Sequence, residues 1–169
     1  SGWFEVKKDE KTISPDDHWN KKIKADYRAK DDLKMKEKDV KALRELGLTA
    51  VHIVPEEGIF KGKSDLVILD NDFTSYKKDV AQIIEFKATG WSDRSYPNSL
   101  LGVIAVIRQT LLDANWYQKS TQIIEKYPEQ NTLIPFHPSL SQLADFQLNR
   151  KPMLFMTKEE HGALRADRK

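Results

Sequence analysis

The stretch YPNSLLGVIAVIRQTLLDANWY, Tyr96–Tyr117, decides the fold of this chain. Its eight residues from Leu100 to Ile107 carry no polar side chain, and Asn98 or Ser99 can cap the backbone N–H groups of a helix that begins there. A surface helix has one apolar stripe, whereas a helix that is apolar all round is buried on all sides. The stretch therefore predicts a long buried central helix, over about residues 98–119, which other layers of the chain must cover.

The composition of the chain limits the class of protein to which this helix can belong. The chain has 169 residues, of which 39% are hydrophobic and 32% charged, as in a soluble globular domain with a core of its own. A net charge of +2 argues against a dedicated nucleic-acid binder, and the lack of cysteine excludes disulfides and thiolate metal sites. No apolar run is long enough to cross a membrane, so we expect a soluble protein, either cytoplasmic or exported.

The segment before the helix has the pattern of an α/β protein. Residues 37–46 carry apolar side chains at helical spacing, Gly47 follows where a helix ends, and residues 48–54 form a buried strand that stops at Pro55. His52 lies within this strand, where a hydrogen-bonded core role is the simplest interpretation. Residues 64–70 and 80–87 are two further strands, which predict a β-hairpin over about 64–87.

The rest of the chain divides into a charged beginning and an α/β continuation. Residues 1–36 mix lysine and aspartate with isolated apolar side chains, which predicts a charged N-terminal surface segment ahead of a single α/β domain over 37–169. After the central helix, the pattern predicts a helix around Leu140 to Ala144, a short strand over Met153–Met156, and a last helix capped by Thr157.

Three charged side chains follow predicted strands. Glu56 and Glu57 come directly after the strand that contains His52, and His161 comes after the last strand. The carboxyl ends of strands are where α/β folds place function, so these three residues are candidates for a substrate pocket. Two adjacent carboxylates can also form an ordinary solvated turn, and Gly58 and Gly62 around residues 59–61 indicate a loop with unusual backbone angles.

A second pattern is typical of the PD-(D/E)xK nucleases. Asp65 on one strand and Glu85 with Lys87 on the next have the spacing of that core, because residues i and i+2 of a strand project from the same face. The two carboxylates could hold Mg²⁺, and Lys87 could position the attacking water. Ser64 stands where the motif commonly has proline, and no basic groove is evident.

Two longer runs resemble the metal-dependent amidohydrolases of the imidazolonepropionase-like group. They are LGLTAVHIVPEEGIFKG, Leu46–Gly62, and YPNSLLGVIAVIRQTLLDA, Tyr96–Ala114, followed by Trp116 and Tyr117. EHGALRAD, Glu160–Asp167, fits the helix after the third barrel strand of such proteins. The likeness touches most of the chain after residue 40.

The resemblance implies a (β/α)₈ barrel that hydrolyses C–N bonds of cyclic amides or peptide-like compounds with a metal-activated water. The metal ligands of that family include a His-x-His pair, which this sequence lacks, and its four histidines lie far apart in the sequence. A whole barrel needs roughly 250 residues. The chain is therefore interpreted as an interior section of the barrel that carries no metal ligand, with a divalent metal such as zinc bound by the parent enzyme.

The combined prediction is an α/β fold, a partial barrel-like segment with an inserted β-hairpin and a long buried central helix. Its partners would be the remainder of the barrel, or a second copy, with neither nucleic acid nor membrane involved. A non-catalytic interaction domain built around the apolar helix stays an alternative. Arg108 shares a helix face with Leu101 and Leu112, so we expect a buried guanidinium tied to carbonyls or to Asp113. That apolar helix exceeds what the few strands can cover, so part of it should be exposed in the isolated chain or buried against a second copy.

Overall fold

A computed structural model describes residues 3–6, 18–70, 72, 74–88, 95–130 and 134–157 of the chain. Five strands form one sheet in the order β1-β2-β3-β4-β5: β1 Trp3–Val6, β2 Ala50–Pro55, β3 Phe60–Ile68, β4 Ser75–Glu85 and β5 Met153–Met156. Three α-helices accompany them: α1 Glu37–Glu45, α2 Leu100–Lys126 and α3 Pro138–Leu148.

Four of the five strands run in the same direction. β1 is parallel to β2, β4 is parallel to β5, and β3 lies antiparallel between β2 and β4. The hairpin of β3 and β4 is thus inserted into a sheet that is otherwise parallel. This arrangement confirms the predicted α/β, partial barrel-like segment.

The local signals explain where the helices begin and end. Ser99 caps α2, because its hydroxyl oxygen accepts a hydrogen bond from the backbone N–H of Gly102 at 3.2 Å. Gly47 has a φ of +82° directly after α1, the left-handed conformation that glycine adopts most easily. Pro138 stands in the first turn of α3, where its missing N–H is not needed.

The hydrophobic core has two parts on the helical side of the sheet and a smaller cluster on the other face. Side chains of α2 and α3, such as Val103, Ile107 and Leu143, pack against Phe60 and Ile84 of the sheet. Around α1, Val40 packs with β2 and β3 residues such as Ile53. On the opposite face, Val54 packs with Ala81 and Ile83. The sheet is therefore covered by helices on one face, as in a barrel wall.

Three predictions about α2 need correction. It is one unbroken helix to Lys126, whereas the sequence predicts an end near residue 119. It is also not buried on all sides, because one face is exposed, including Leu101 and Leu112. Arg108 lies on this exposed face, so the expected buried guanidinium is wrong. The expectation that the strands cannot cover the whole apolar surface is confirmed.

The charged segment before α1 is not a solvated surface segment in its described part. Ile23, Ala25, Tyr27 and Ala29 are all buried. The segment runs beside the first half of β3, where Lys63 donates its backbone N–H to the Tyr27 carbonyl at 2.7 Å. β1, which the sequence pattern does not reveal, adds a strand from the same region of the chain. Charged side chains alternate with these buried ones, so the average composition of the segment hides the buried positions.

Candidate active site at the carboxyl ends of the parallel strands

The carboxyl ends of the four parallel strands lie along one edge of the sheet. β2 ends at Pro55, β4 at Glu85 and β5 at Met156, and β3 begins at this edge with Phe60 because it runs the other way. In barrels and open α/β sheets, ligands bind at this edge. We therefore define residues 56–61 and 85–88, with Thr157, as the carboxyl-end site.

A buried ion pair lies at the carboxyl-end site. The Lys61 ammonium is 3.0 Å from a Glu85 carboxylate oxygen, and their side chains are only 2% and 4% exposed. The sequence pattern does not single out Lys61, and it groups Glu85 with Asp65 and Lys87 instead. Burial of two charges is costly unless they are paired with good geometry, so this pair holds both side chains in place.

Backbone geometry around Gly62 brings Lys61 to this position. The register between β3 and β4 shifts between Phe60 and Gly62, which leaves Lys61 at a bulge. Gly62 has a φ of +122°, and a β-carbon there would collide with the Tyr27 carbonyl oxygen. Gly58 has a φ of +109°, so the predicted unusual backbone angles are confirmed, but Phe60 and Lys61 belong to β3 and not to the predicted loop. The glycines at positions 58 and 62, before and after Lys61, are the signal in the sequence that could have identified this lysine.

The structure places two of the three predicted pocket residues at this edge. Glu57 is half-buried, and its carboxylate lies 3.2 Å from the Lys24 ammonium. Glu56 beside it is exposed. His161 lies outside the described residues. Glu57 therefore already has an electrostatic partner, whereas the Glu56 side chain faces solvent at this edge.

The nuclease constellation is not assembled. Glu85 donates its backbone N–H to the Ile59 carbonyl, and Asp65 lies six residue steps beyond Ile59, one of them at the bulge of Lys61. At about 3.3 Å for each of the remaining steps this is roughly 17 Å, far beyond the reach of one Mg²⁺ ion. Lys87 is exposed, and the ammonium that contacts Glu85 belongs to Lys61.

Asp65 and Glu85 also project from opposite faces of the sheet. Asp65 is the register partner of Ile53, which packs towards α1. The next residue, Val54, belongs to the cluster on the other face together with Ile83. Glu85 follows Ile83 by two residues and shares its face. The interpretation of these residues as a nuclease core is therefore wrong.

Asp65 has a structural role instead. It is fully buried, accepts a hydrogen bond from the Asp79 backbone N–H at 2.8 Å, and lies 3.6 Å from the Arg28 guanidinium. Arg28 also donates to the Asp79 carboxylate at 2.7 Å, and this bond is the main cause that raises the pKa of Arg28. These charges tie the segment before α1 to the hairpin.

His52 departs from its predicted hydrogen-bonded core role. It is half-buried on β2, and its Nε2 atom is buried without a hydrogen-bond partner among the described residues. Burial is the main cause that lowers the pKa of His52, and the negative charge of Asp65 acts in the opposite direction. The ring is therefore held neutral at physiological pH.

His18 and His137 form a pair of histidines that does not belong to the residues of the carboxyl-end site. The rings of His18 and His137 meet edge to face with centroids 5.4 Å apart. Burial is the main cause that lowers the pKa of His18, and the nearby His137 adds to it. Nδ1 of His18 accepts a hydrogen bond from the Asn20 backbone N–H at 3.1 Å. No group of three or more potential ligands able to hold a metal ion occurs in the described parts of the chain.

Comparison with known proteins adds one structural relative. No protein-family profile and no curated protein sequence matches the chain. The fold is similar to that of an amidohydrolase from Thermotoga maritima MSB8. The TM-score is 0.75 with 16% sequence identity over 88% of this chain. At that identity the likeness shows the fold alone, which agrees with the parallel strands and their helical layer.

The chain spans 41% of the length of the Thermotoga protein. Among the described helices, none is long and apolar enough to cross a bilayer.

Proposed function

We propose that this chain is a section of a metal-dependent amidohydrolase of the imidazolonepropionase-like type. The complete barrel would hydrolyse C–N bonds in cyclic amides or peptide-like substrates. The observation that carries the proposal is the fold similarity to the Thermotoga amidohydrolase over 88% of this chain. The resemblance of Leu46–Gly62 and Tyr96–Ala114 to that family supports it from the sequence.

The two outer strands of the sheet support the proposal of a larger assembly. β1 and β5 are the outer strands of the sheet, and each pairs on one side only among the described residues. An outer strand leaves a row of backbone N–H and C=O groups available for another strand. On β5, Leu154 and Phe155 are 41% and 38% exposed. Additional parallel strands from the remainder of the barrel would pair with both outer strands, β1 and β5.

The carboxyl-end site would form part of the substrate pocket. Glu56, exposed at this edge, can accept a hydrogen bond from a substrate N–H group. Glu57 and His161 are proposed as further pocket residues. The Lys61–Glu85 pair would form the base of this part of the pocket, because it is buried directly beneath the edge and has no net charge.

The metal would be bound outside the described residues. They offer no cluster of three or more potential ligands, so they do not fit a metal site by themselves. In the proposal, the remainder of the barrel supplies the ligands and the metal supplies an activated water. The described residues then contribute binding, orientation and one wall of the pocket.

The proposal is tested on the protein as its own cells make it. An antibody against this chain would isolate that protein for measurement of its intact mass and of its hydrolysis of a panel of cyclic amides and dipeptides. We expect a polypeptide more than twice as long as this chain, as in the Thermotoga protein. Its hydrolysis should be lost with a chelator and restored by Zn²⁺.

Two results would overturn the proposal. One is a native protein of this length without amide hydrolysis, which would favour a non-catalytic interaction domain. The other is tight Zn²⁺ binding and amide hydrolysis by the isolated 169-residue chain, because that would disprove the partial-barrel interpretation. Within the intact enzyme, Glu56→Gln should raise KM with a smaller effect on kcat, as expected for a residue that binds substrate.

A further inference from the structure

His18 and His137 pack ring to ring where the N-terminal end of α3 meets α2. Their ring centroids lie 5.4 Å apart in an edge-to-face arrangement. His18 is 5% exposed and comes from the segment before α1. His137 is half-buried and is the N-cap residue of α3. The pair therefore joins two parts of the fold that are distant in sequence.

Both rings use Nδ1 as a hydrogen-bond acceptor, which requires that this atom carries no proton. Nδ1 of His18 accepts a hydrogen bond from the Asn20 backbone N–H at 3.1 Å. Nδ1 of His137 accepts one from the Leu140 backbone N–H at 3.5 Å and so caps the first turn of α3. A protonated imidazole has a donor at each nitrogen and cannot accept. Protonation of either ring therefore breaks the hydrogen bond that its Nδ1 makes.

The surroundings of the pair favour a neutral His18 ring while α3 is docked. Two imidazolium rings at this distance repel each other, and a cation at a helix N-terminus opposes the helix dipole. Burial is the main cause that lowers the pKa of His18, and the nearby His137 adds to it. The Asp113 carboxylate of α2 acts in the opposite direction and is weaker than either cause. A second carboxylate, Asp26, accepts a hydrogen bond from the Ser139 hydroxyl in the first turn of α3.

The end of α3 that His137 caps covers part of the hydrophobic core. Leu140 and Leu143 are 9% and 0% exposed and belong to the same core cluster as Tyr117 of α2. The Tyr117 hydroxyl also accepts a hydrogen bond from the His137 backbone N–H at 3.3 Å. We propose that His18 and His137 form an acid-sensitive latch, which holds the first turn of α3 on α2 while both rings are neutral and releases it when they are protonated.

The sign and size of the pH effect follow from proton binding by His18. In the released state its ring is in water, where a histidine has a pKa of about 6.5. A fall in pH from 7.5 to 5.5 then favours release by up to about tenfold from His18 alone, because the released state binds a proton that the docked state excludes. The contribution of the latch is complete above about pH 6.5 and is lost as the pH falls towards the lowered pKa of the docked ring. The latch does not depend on the hydrolase proposal.

Hydrogen exchange of the full chain at pH 7.5 and pH 5.5 tests the latch. The exchange rate of each backbone amide is compared with its intrinsic rate at the same pH, which gives a protection factor. Over residues 140–143, in the first turns of α3, we expect protection to fall by at least about threefold in acid. At pH 5.5 this protection should also be lower than that of residues 103–110 in the buried part of α2, because the release is local.

Variants that cannot titrate provide the second test. His18→Asn and His137→Asn each keep a side-chain acceptor near the position of Nδ1, and asparagine is a favourable N-cap residue. In the double variant, the protection of residues 140–143 should be the same at both pH values. His52→Asn is the matched control, since burial also lowers the pKa of His52 but its ring lies on β2, outside the latch. Circular dichroism checks that each variant is folded.

Three results would overturn the proposal. One is an unchanged protection of residues 140–143 between the two pH values in the wild-type chain, a result that needs no variant. Another is equal protection of residues 140–143 and 103–110 at pH 5.5, which would indicate that only global unfolding responds to acid. The third is a pH dependence that survives in the double variant or disappears in His52→Asn. A local loss of protection that occurs in the wild-type chain and in His52→Asn, and is absent from the double variant, supports the latch.

Discussion

The buried Lys61–Glu85 pair makes the sharpest prediction about stability. With side-chain exposures of 2% and 4%, neither charge can be solvated if its partner is removed. Glu85→Leu should leave the Lys61 ammonium buried and unpaired, which costs about 3–5 kcal/mol of unfolding free energy. Lys61→Met should cost a similar amount. For a chain of this size, the loss corresponds to a fall in Tm of about 6–20 °C.

The double variant distinguishes a paired charge from simple packing. Replacement of both partners by apolar residues of similar volume is often neutral or stabilising, so Lys61→Met with Glu85→Leu should recover most of the loss. Lys151→Met is the control, because its pair with Asp145 is closer, at 2.6 Å, but its two side chains are 33% and 41% exposed, so it should contribute at most about 1 kcal/mol.

The assay is urea unfolding followed by circular dichroism, analysed as a double-mutant cycle. The reasoning predicts a coupling energy of several kcal/mol between positions 61 and 85. A coupling below about 0.5 kcal/mol, or single variants no more destabilised than Lys151→Met, would refute the buried ion pair.

Three further predictions concern the backbone, a titrating group and a helix cap. Gly62→Ala should destabilise the fold by more than 2 kcal/mol, since the new β-carbon meets the Tyr27 carbonyl. Gly47→Ala is the control and should cost about 1 kcal/mol, because a β-carbon at Gly47 has nothing within 4 Å. Equal losses of unfolding free energy in urea would contradict this prediction. Burial lowers the pKa of His18 from its usual 6.5, so the unfolded chain binds more protons and stability should fall as pH drops below about 6.5. His18→Gln should make unfolding free energies between about pH 8 and pH 5 less pH-dependent, and an unchanged slope would argue against a buried neutral ring. Ser99→Ala removes the cap of α2 and should lower stability by about 1 kcal/mol, a value that a thermal melt can resolve.

Local patterns in the sequence predicted much of the secondary structure. Ser99 marks the start of α2, Gly47 follows α1, and two apolar runs identify the hairpin of β3 and β4. These signals are strong because caps and alternation act within a few residues of one another. The segment before α1 was misjudged for the opposite reason, since its burial depends on contacts with β3 that are distant in sequence.

The candidate site was predicted less well than the fold. Glu56 and Glu57 were identified from their position after a strand, and the structure places them at the carboxyl edge. Lys61 was missed, because its role comes from a bulge and from Glu85 on a strand that lies 24 residues further along the chain. A Glu-x-Lys motif on a strand suggested the wrong lysine, since strand spacing indicates which residues share a face and not which partner lies opposite.

The apolar stretch from Tyr96 to Tyr117 separates what the sequence determines from what the tertiary structure decides. The sequence alone determined that a long helix forms there, because capping and helix-compatible apolar residues are local properties. Only the tertiary structure decided which side of α2 is covered, because the sheet and α3 reach one face and leave the opposite face, with Leu101 and Leu112, in solvent. Burial depends on the area that neighbouring elements can cover, and that area is set by their packing in three dimensions.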